Sequence, residues 1–166
     1  PSHEVEARVQ ASLQGLRLEA LQSQHPYELT PALRKFVALA AADAMRAPIL
    51  ILDEPTTGLD GPGQELLKDF LTAKRREGRS VLAISHDMDF VAEMFEHVIV
   101  MSEGMVLADG TAGEVFRQIG VLADHQLEPP QLVRLAAALG WSETPLTIEV
   151  FVDQFAALRQ RKDTLS

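Results

Sequence analysis

No cysteine occurs among the 166 residues. That excludes disulfides and thiolate metal sites, and it suits a reducing compartment. Positive charge is scarce as well: 15 Lys and Arg stand against 24 Asp and Glu, a formal net charge of -9. A phosphate backbone needs a basic face, so nucleic acid is not an expected partner. The one basic cluster, Lys74-Arg75-Arg76 with Arg79, falls at a predicted helix end and reads as a solvated face favoured by the helix dipole. Long apolar runs are missing. The longest candidate, FVALAAADAM, is interrupted by Asp43 and stays short of the roughly 18 residues of a membrane span. No signal-peptide pattern is visible at the start. A soluble protein is expected, one that meets a membrane only through a partner. One more absence bears on chemistry. No Gly is followed by Lys, so the phosphate-loop pattern G-x-x-x-x-G-K-[ST] is absent.

The residues present read as an ordinary globular chain, 46% hydrophobic and 23% charged, long enough for one domain with a core. There are no internal repeats or low-complexity segments. Val5, Val9, Leu13 and Leu16 recur at helical spacing, with Gly15 as a stop. Thr30-Pro31 reads as an N-cap and a first-turn proline, opening a helix to about Arg46. Ile49–Leu52 is a continuous aliphatic run, the pattern of a strand buried on both faces. A helix over 62–77, a strand over 80–85, a helix capped by Asp87 and a strand over 97–101 come next. Thr111-x-x-Glu114 is a capping box. The alternation of strand and helix predicts an α/β core of parallel strands. Beyond about Gly120, a helix after Pro129-Pro130 and a last one from Ile148 form a small helical appendage.

Chemistry concentrates at two strand exits. A carboxylate ending a buried strand, here Asp53, can hold Mg²⁺ through water. Its neighbour Glu54 points the other way and can orient or deprotonate an attacking water. Two acidic residues at a strand exit are often only solvated. Four aliphatics before them and Pro-Thr-Thr-Gly-Leu-Asp after them favour function. His86 directly succeeds the strand VLAIS, at the sheet edge where ligands of open α/β sheets gather. There it can touch a terminal phosphate, although a lone histidine is more often structural.

With ELTPALRKFVALA placed ahead of them, these residues form a known series. Asp53-Glu54-Pro55-Thr56, Gly58-Leu59-Asp60 and Ser85-His86-Asp87 resemble, in order and spacing, the Walker B, D-loop and H-loop of ATP-binding cassette (ABC) ATPases. MSEGMVLADGTAGEVF is similar to the hairpin and helix that come after them. The likeness covers about residues 5–118. PYEL, EPTTGLD, LEPPQLVRLAAALG and PLTIEVF are similar to the energy-coupling factor class, and within it to the second cassette of tandem ATPases. The resemblance implies a P-loop NTPase-like parallel sheet with flanking helices, incomplete at its N-terminal side, plus the C-terminal appendage. It implies residues 1–47 as part of a helical subdomain with the signature loop, 48–119 as the ATPase core, and 120–166 as the appendage. It implies ATP and Mg²⁺, with Asp53 on the metal, Glu54 as general base, His86 at the γ-phosphate, Asp60 linking two cassettes and Thr30 acting across the dimer. It also implies a second, non-identical or fused cassette, transmembrane subunits, and a peripheral place on the cytoplasmic face of the membrane.

Two departures qualify this resemblance. The family signature Leu-Ser-Gly-Gly-Gln is replaced by Leu29-Thr30-Pro31-Ala32-Leu33. Thr30 keeps a hydroxyl, Pro31 deletes an N–H, and Ala32 and Leu33 remove close approach and an amide. The phosphate loop and Gln-loop, which stand ahead of this region in the family, are missing, so strands 80–85 and 97–101 should expose unpaired edges and apolar faces. The leading expectation is an ATP-hydrolysing motor of an ABC importer for a vitamin or metal ion, with the 166 residues alone inactive. The alternative is a degenerate cassette serving as structural or regulatory partner of an active one. A soluble ABC protein of DNA repair or translation fits less well, because long heptads are absent and Thr57-Gly58 stands where translation members carry Asn-His.

Overall fold

The computed structural model describes the backbone of residues 2–164 and the side chains of 3–159. The chain divides into two compact units, residues 1–86 and 87–166.

In the first unit, helix α1 (Ser2–Gly15) leads through 3-10 turns at Glu19–Leu21 and Pro26–Glu28 to helix α2 (Pro31–Ala44), strand β1 (Ile49–Asp53), helix α3 (Gly61–Arg76) and strand β2 (Ser80–Ile84). Helix starts are set by local chemistry. Thr30 Oγ1 accepts the Leu33 N–H at 3.3 Å, and Pro31 occupies the first turn, where its missing N–H costs nothing. Asp60 Oδ1 does the same for Gly63 at 2.9 Å. In α3, Leu67, Phe70, Leu71 and Lys74 recur at helical spacing and all are buried. β1, α3 and β2 make a β-α-β unit with β1 and β2 parallel, in register from Ile49 opposite Ser80 to Asp53 opposite Ile84.

The aliphatic run of β1 predicts burial on both faces, and the structure covers only one. Leu50 is 4% exposed, but Ile51 is 65% and Leu82 53% exposed, with Ile49 and Ile84 exposed beside them. Side chains alternate across a strand. One face of the pair is therefore covered and the other, equally aliphatic, is bare, because this unit supplies no layer for it.

Polar burial also departs from expectation. Asp43 has no exposed surface, and Ser12 is 1% exposed. Ser12 Oγ donates to Asp43 Oδ2 at 2.7 Å, Lys74 Nζ lies 3.3 Å from the same oxygen, and Arg79 pairs with Oδ1. Arg79 Nε donates to the Ala47 carbonyl at 2.9 Å. Lys74 also meets Glu77 at 2.9 Å and stands 5.0 Å over the Phe70 ring. Lys74 and Arg79 are thus not a solvated face. They neutralise a buried carboxylate that, by sequence pattern, only interrupts an apolar run.

In the second unit, helix α4 (Met88–Met94) leads to strands β3 (His97–Ser102) and β4 (Met105–Thr111), then helices α5 (Ala112–Phe116), α6 (Ile119–Asp124), α7 (Gln131–Ala138) and α8 (Ile148–Thr164). β3 forms a two-stranded sheet with β4. It runs antiparallel to β4, turning at Glu103-Gly104, with an irregularity between Val100 and Met101. The Thr111–Glu114 capping box is complete. Its two hydrogen bonds, from the Thr111 hydroxyl and backbone, hold the Glu114 carboxyl below the usual range. Val98, Val100, Ala108, Phe116, Leu122 and Val133 share one core. The sequence does not predict α6, since Gly120 and its few neighbours give no periodic signal. Trp141 stacks on Phe151 at 4.7 Å between ring centres.

Burial alone would raise the Asp43 pKa, but the Ser12 hydrogen bond, the Lys74 charge and the Arg79 hydrogen bond together hold it below the usual carboxylate range. A depressed folded pKa gives stability that is full above the unfolded value and lost as pH falls through the folded one. Asp43→Asn should cost about 3–5 kcal/mol in urea unfolding at pH 7, by stranding two buried cations. It should also remove the part of the acid-induced stability loss that lies below about pH 4. The bare face of β1 and β2 gives a second expectation. Ile51→Thr with Leu82→Thr should change the stability of the 166-residue chain by less than about 0.5 kcal/mol. In a longer protein whose added layer covers this face, the same change should cost about 1.5–3 kcal/mol per side chain, read from unfolding midpoints.

Candidate functional site

Parallel pairing brings the carboxyl ends of β1 and β2 side by side. Asp53 lies opposite Ile84, so the next residue, Glu54, and His86, two beyond Ile84, come together. Glu54 donates its N–H to the Ile84 carbonyl at 2.8 Å. It then turns the chain with a φ of 45°, the left-handed conformation that non-glycine residues avoid. Its Oε1 accepts the His86 backbone N–H at 3.1 Å and faces His86 Nδ1 at 2.8 Å. Its Oε2 accepts the Thr57 hydroxyl at 3.4 Å. The carboxylate is half-buried and the imidazole is 79% exposed. Since Nδ1 faces a carboxylate, it carries the proton, which leaves Nε2 on the open side of the ring.

The five residues singled out from sequence do not form one cluster. Glu54 and His86 meet. Asp53 is their neighbour, exposed at the last position of β1. Thr30 and Asp60 sit at the starts of α2 and α3, each engaged as an N-cap. Among the described residues, no three His, Asp or Glu side chains converge as a metal cage.

One participant carries no sequence signal. Lys35 reaches from α2 to the turn after β1, where its Nζ donates to the carbonyls of Glu54 at 2.8 Å, Pro55 at 3.4 Å and Thr57 at 2.6 Å. Nothing in the spacing of ELTPALRKFVALA marks it, because the acceptors are main-chain atoms about twenty residues away, with a separation of 19 for the first.

No protein-family model matches the chain. Individual proteins do. A putative ABC transporter ATP-binding protein of Methanosarcina mazei is 40% identical over 84% of this chain and 24% of its own length. The energy-coupling factor transporter ATP-binding protein EcfA of Methanothermobacter thermautotrophicus is 32% identical over 93% of this chain and 50% of its own length. Among solved structures, cbiO1 from Clostridium perfringens, part of the ABC transporter complex cbiONQ, superposes with a TM-score of 0.65 at 31% identity. That match covers 84% of this chain and 55% of the other. The chain therefore spans about half the length of most of these relatives, and a quarter of the first. Among the described residues, no helix is long and apolar enough to cross a membrane. The homologues of this chain are thus ABC transporter ATP-binding proteins, energy-coupling factor ATPases among them, and its structural neighbours are ABC cassettes of the P-loop NTPase fold.

Proposed function

We propose that these residues form the hydrolytic edge of a cassette that binds and hydrolyses ATP to drive import of a vitamin or metal ion through an energy-coupling factor transporter. The observation that carries this is the Glu54 carboxylate, fixed at the end of a parallel β-α-β unit by the backbone and ring of His86. A base must be held before it can aim at a water. Glu54 orients and deprotonates the attacking water. His86 holds Glu54 through Nδ1–H and, with both ring nitrogens protonated, donates Nε2–H to the terminal phosphate. Asp53, exposed beside them, fits a Mg²⁺ held by one carboxylate, waters and phosphate oxygens. A bound Mg²⁺ would neutralise phosphate charge there. Residues 1–47 serve as part of the helical subdomain, 48–119 as the core and 120–166 as the appendage.

The phosphate loop, on this reading, comes from sequence outside these 166 residues, which alone are inactive. The bare aliphatic face of β1 and β2 supports such an added layer. The second cassette supplies the other side of each ATP site, with Asp60 linking the pair and Thr30 acting across it. Transmembrane subunits hold both at the cytoplasmic face of the membrane.

A second reading, a degenerate cassette that supports an active one, is favoured by the start of α2. Pro31 has no N–H, the Leu33 N–H is already bonded to Thr30 Oγ1, and the Arg34 N–H goes to the Thr30 carbonyl. Ala32 alone of the first four positions keeps an N–H for an anion. Self-pairing would place this weak start at both ATP sites, so a working motor calls for a non-identical partner.

In the intact protein with its partner, Glu54→Gln should preserve ATP binding and lower turnover by at least about a hundredfold, the scale of general-base loss. Equal rates at saturating ATP would remove Glu54 from the chemistry. Replacing Pro31 and Ala32 by Gly and Leu33 by Gln should raise single-turnover hydrolysis at the Thr30 site roughly three- to tenfold, since each restored hydrogen bond is worth about 0.5–1.5 kcal/mol. Full-speed hydrolysis at that site in the parent would sink the degenerate reading.

A further inference from the structure

We infer that Lys35 is a positioning residue for hydrolysis: its ammonium holds the turn after β1 so that Glu54 keeps the conformation in which its carboxylate meets His86. The inference rests on the ATPase reading for its kinetic consequence, though not for its structural one.

The turn at 54–57 has few means of holding itself. Pro55 has no N–H. The Thr57 N–H reaches the Glu54 carbonyl only at 3.4 Å, and the Leu59 N–H bonds to Thr56 at 3.0 Å. Meanwhile the carbonyls of Glu54, Pro55 and Thr57 converge. Three carbonyl dipoles directed at one point repel each other unless a cation sits there. A lysine ammonium has three donors and no acceptor, which matches that demand in number and in sign. The contacts at 2.6 and 2.8 Å are in the range of charge-assisted bonds.

The first of those carbonyls belongs to Glu54 itself, at φ 45°. A left-handed non-glycine residue persists only where its surroundings over-determine it. Four residues do so here: Ile84 through its carbonyl on the Glu54 N–H, Lys35 on the Glu54 carbonyl, and His86 and Thr57 on the two carboxylate oxygens. Lys35 is the one that comes from another helix. It sits five residues, or about 7.5 Å of helix, beyond Thr30 at the start of α2. A displacement of α2 therefore reaches the Glu54 carbonyl through a single side chain.

The test compares the intact protein, with its partner cassette, as parent, Lys35→Met and Lys35→Arg. Amide hydrogen exchange is followed at Thr57 and Leu59, and steady-state ATPase is measured in parallel. Lys35→Met keeps an apolar stem and removes the donors. Exchange at both amides should quicken by about tenfold or more, and kcat should fall about tenfold while KM for ATP stays within about twofold. Lys35→Arg should regain at least about half of the lost protection and rate, since it keeps charge and donors. If Lys35→Met does not fold, Lys35→Gln takes its place with the same expectation. Parent-like exchange in the variant overturns the positioning role, and so does a kcat left unchanged beside faster exchange. A parent that does not hydrolyse ATP at all counts against the ATPase reading, while the exchange comparison still decides whether Lys35 holds the turn.

Discussion

Asp43 is a carboxylate wholly removed from water, and the first unit is arranged around meeting its charge. Its partners come from separate parts of the chain: Ser12 of α1, Lys74 of α3, and Arg79 in the turn before β2. An unpaired buried carboxylate is costly enough that these segments must close on it together. The consequence reaches the site. The joint at Asp43 brings α2 and α3 to the entrance of β2, and the parallel register of β1 and β2 places Glu54 and His86 together at the far end of the pair.

The helix that carries Asp43 near its end carries Lys35 near its start. One anchor fixes α2 against α3 by charge. The other fixes it against the turn after β1 through main-chain carbonyls. The candidate base is thus held by more than its neighbours in sequence. Backbone pairing places it, a lysine from another helix steadies it, and an exposed histidine completes its hydrogen bonding.

Features set by adjacent residues are legible in the sequence. Thr30-Pro31, Asp60-Gly-Pro, Asp87 and the Thr111–Glu114 box announce helix starts because each cap reaches only three residues ahead. Glu54 and His86 are legible because each sits just past a strand end, where side chains come free of the sheet. Asp43 and Lys35 are not, since their partners lie 31, 36 and 19 residues away and their types fit an ordinary helix surface. The aliphatic run of β1 has the pattern of a doubly buried strand, yet one of its faces is bare. Apolar composition states the burial a face requires, whereas coverage depends on which layers are present.

Glu54 occupies a left-handed backbone geometry that glycine adopts at least cost. The residue that relaxes this turn is the one with no carboxylate to offer. Conformational comfort and chemistry are therefore opposed at this position. On the ATPase reading proposed above, an acid kept in this geometry is a stability–activity trade-off resolved in favour of activity.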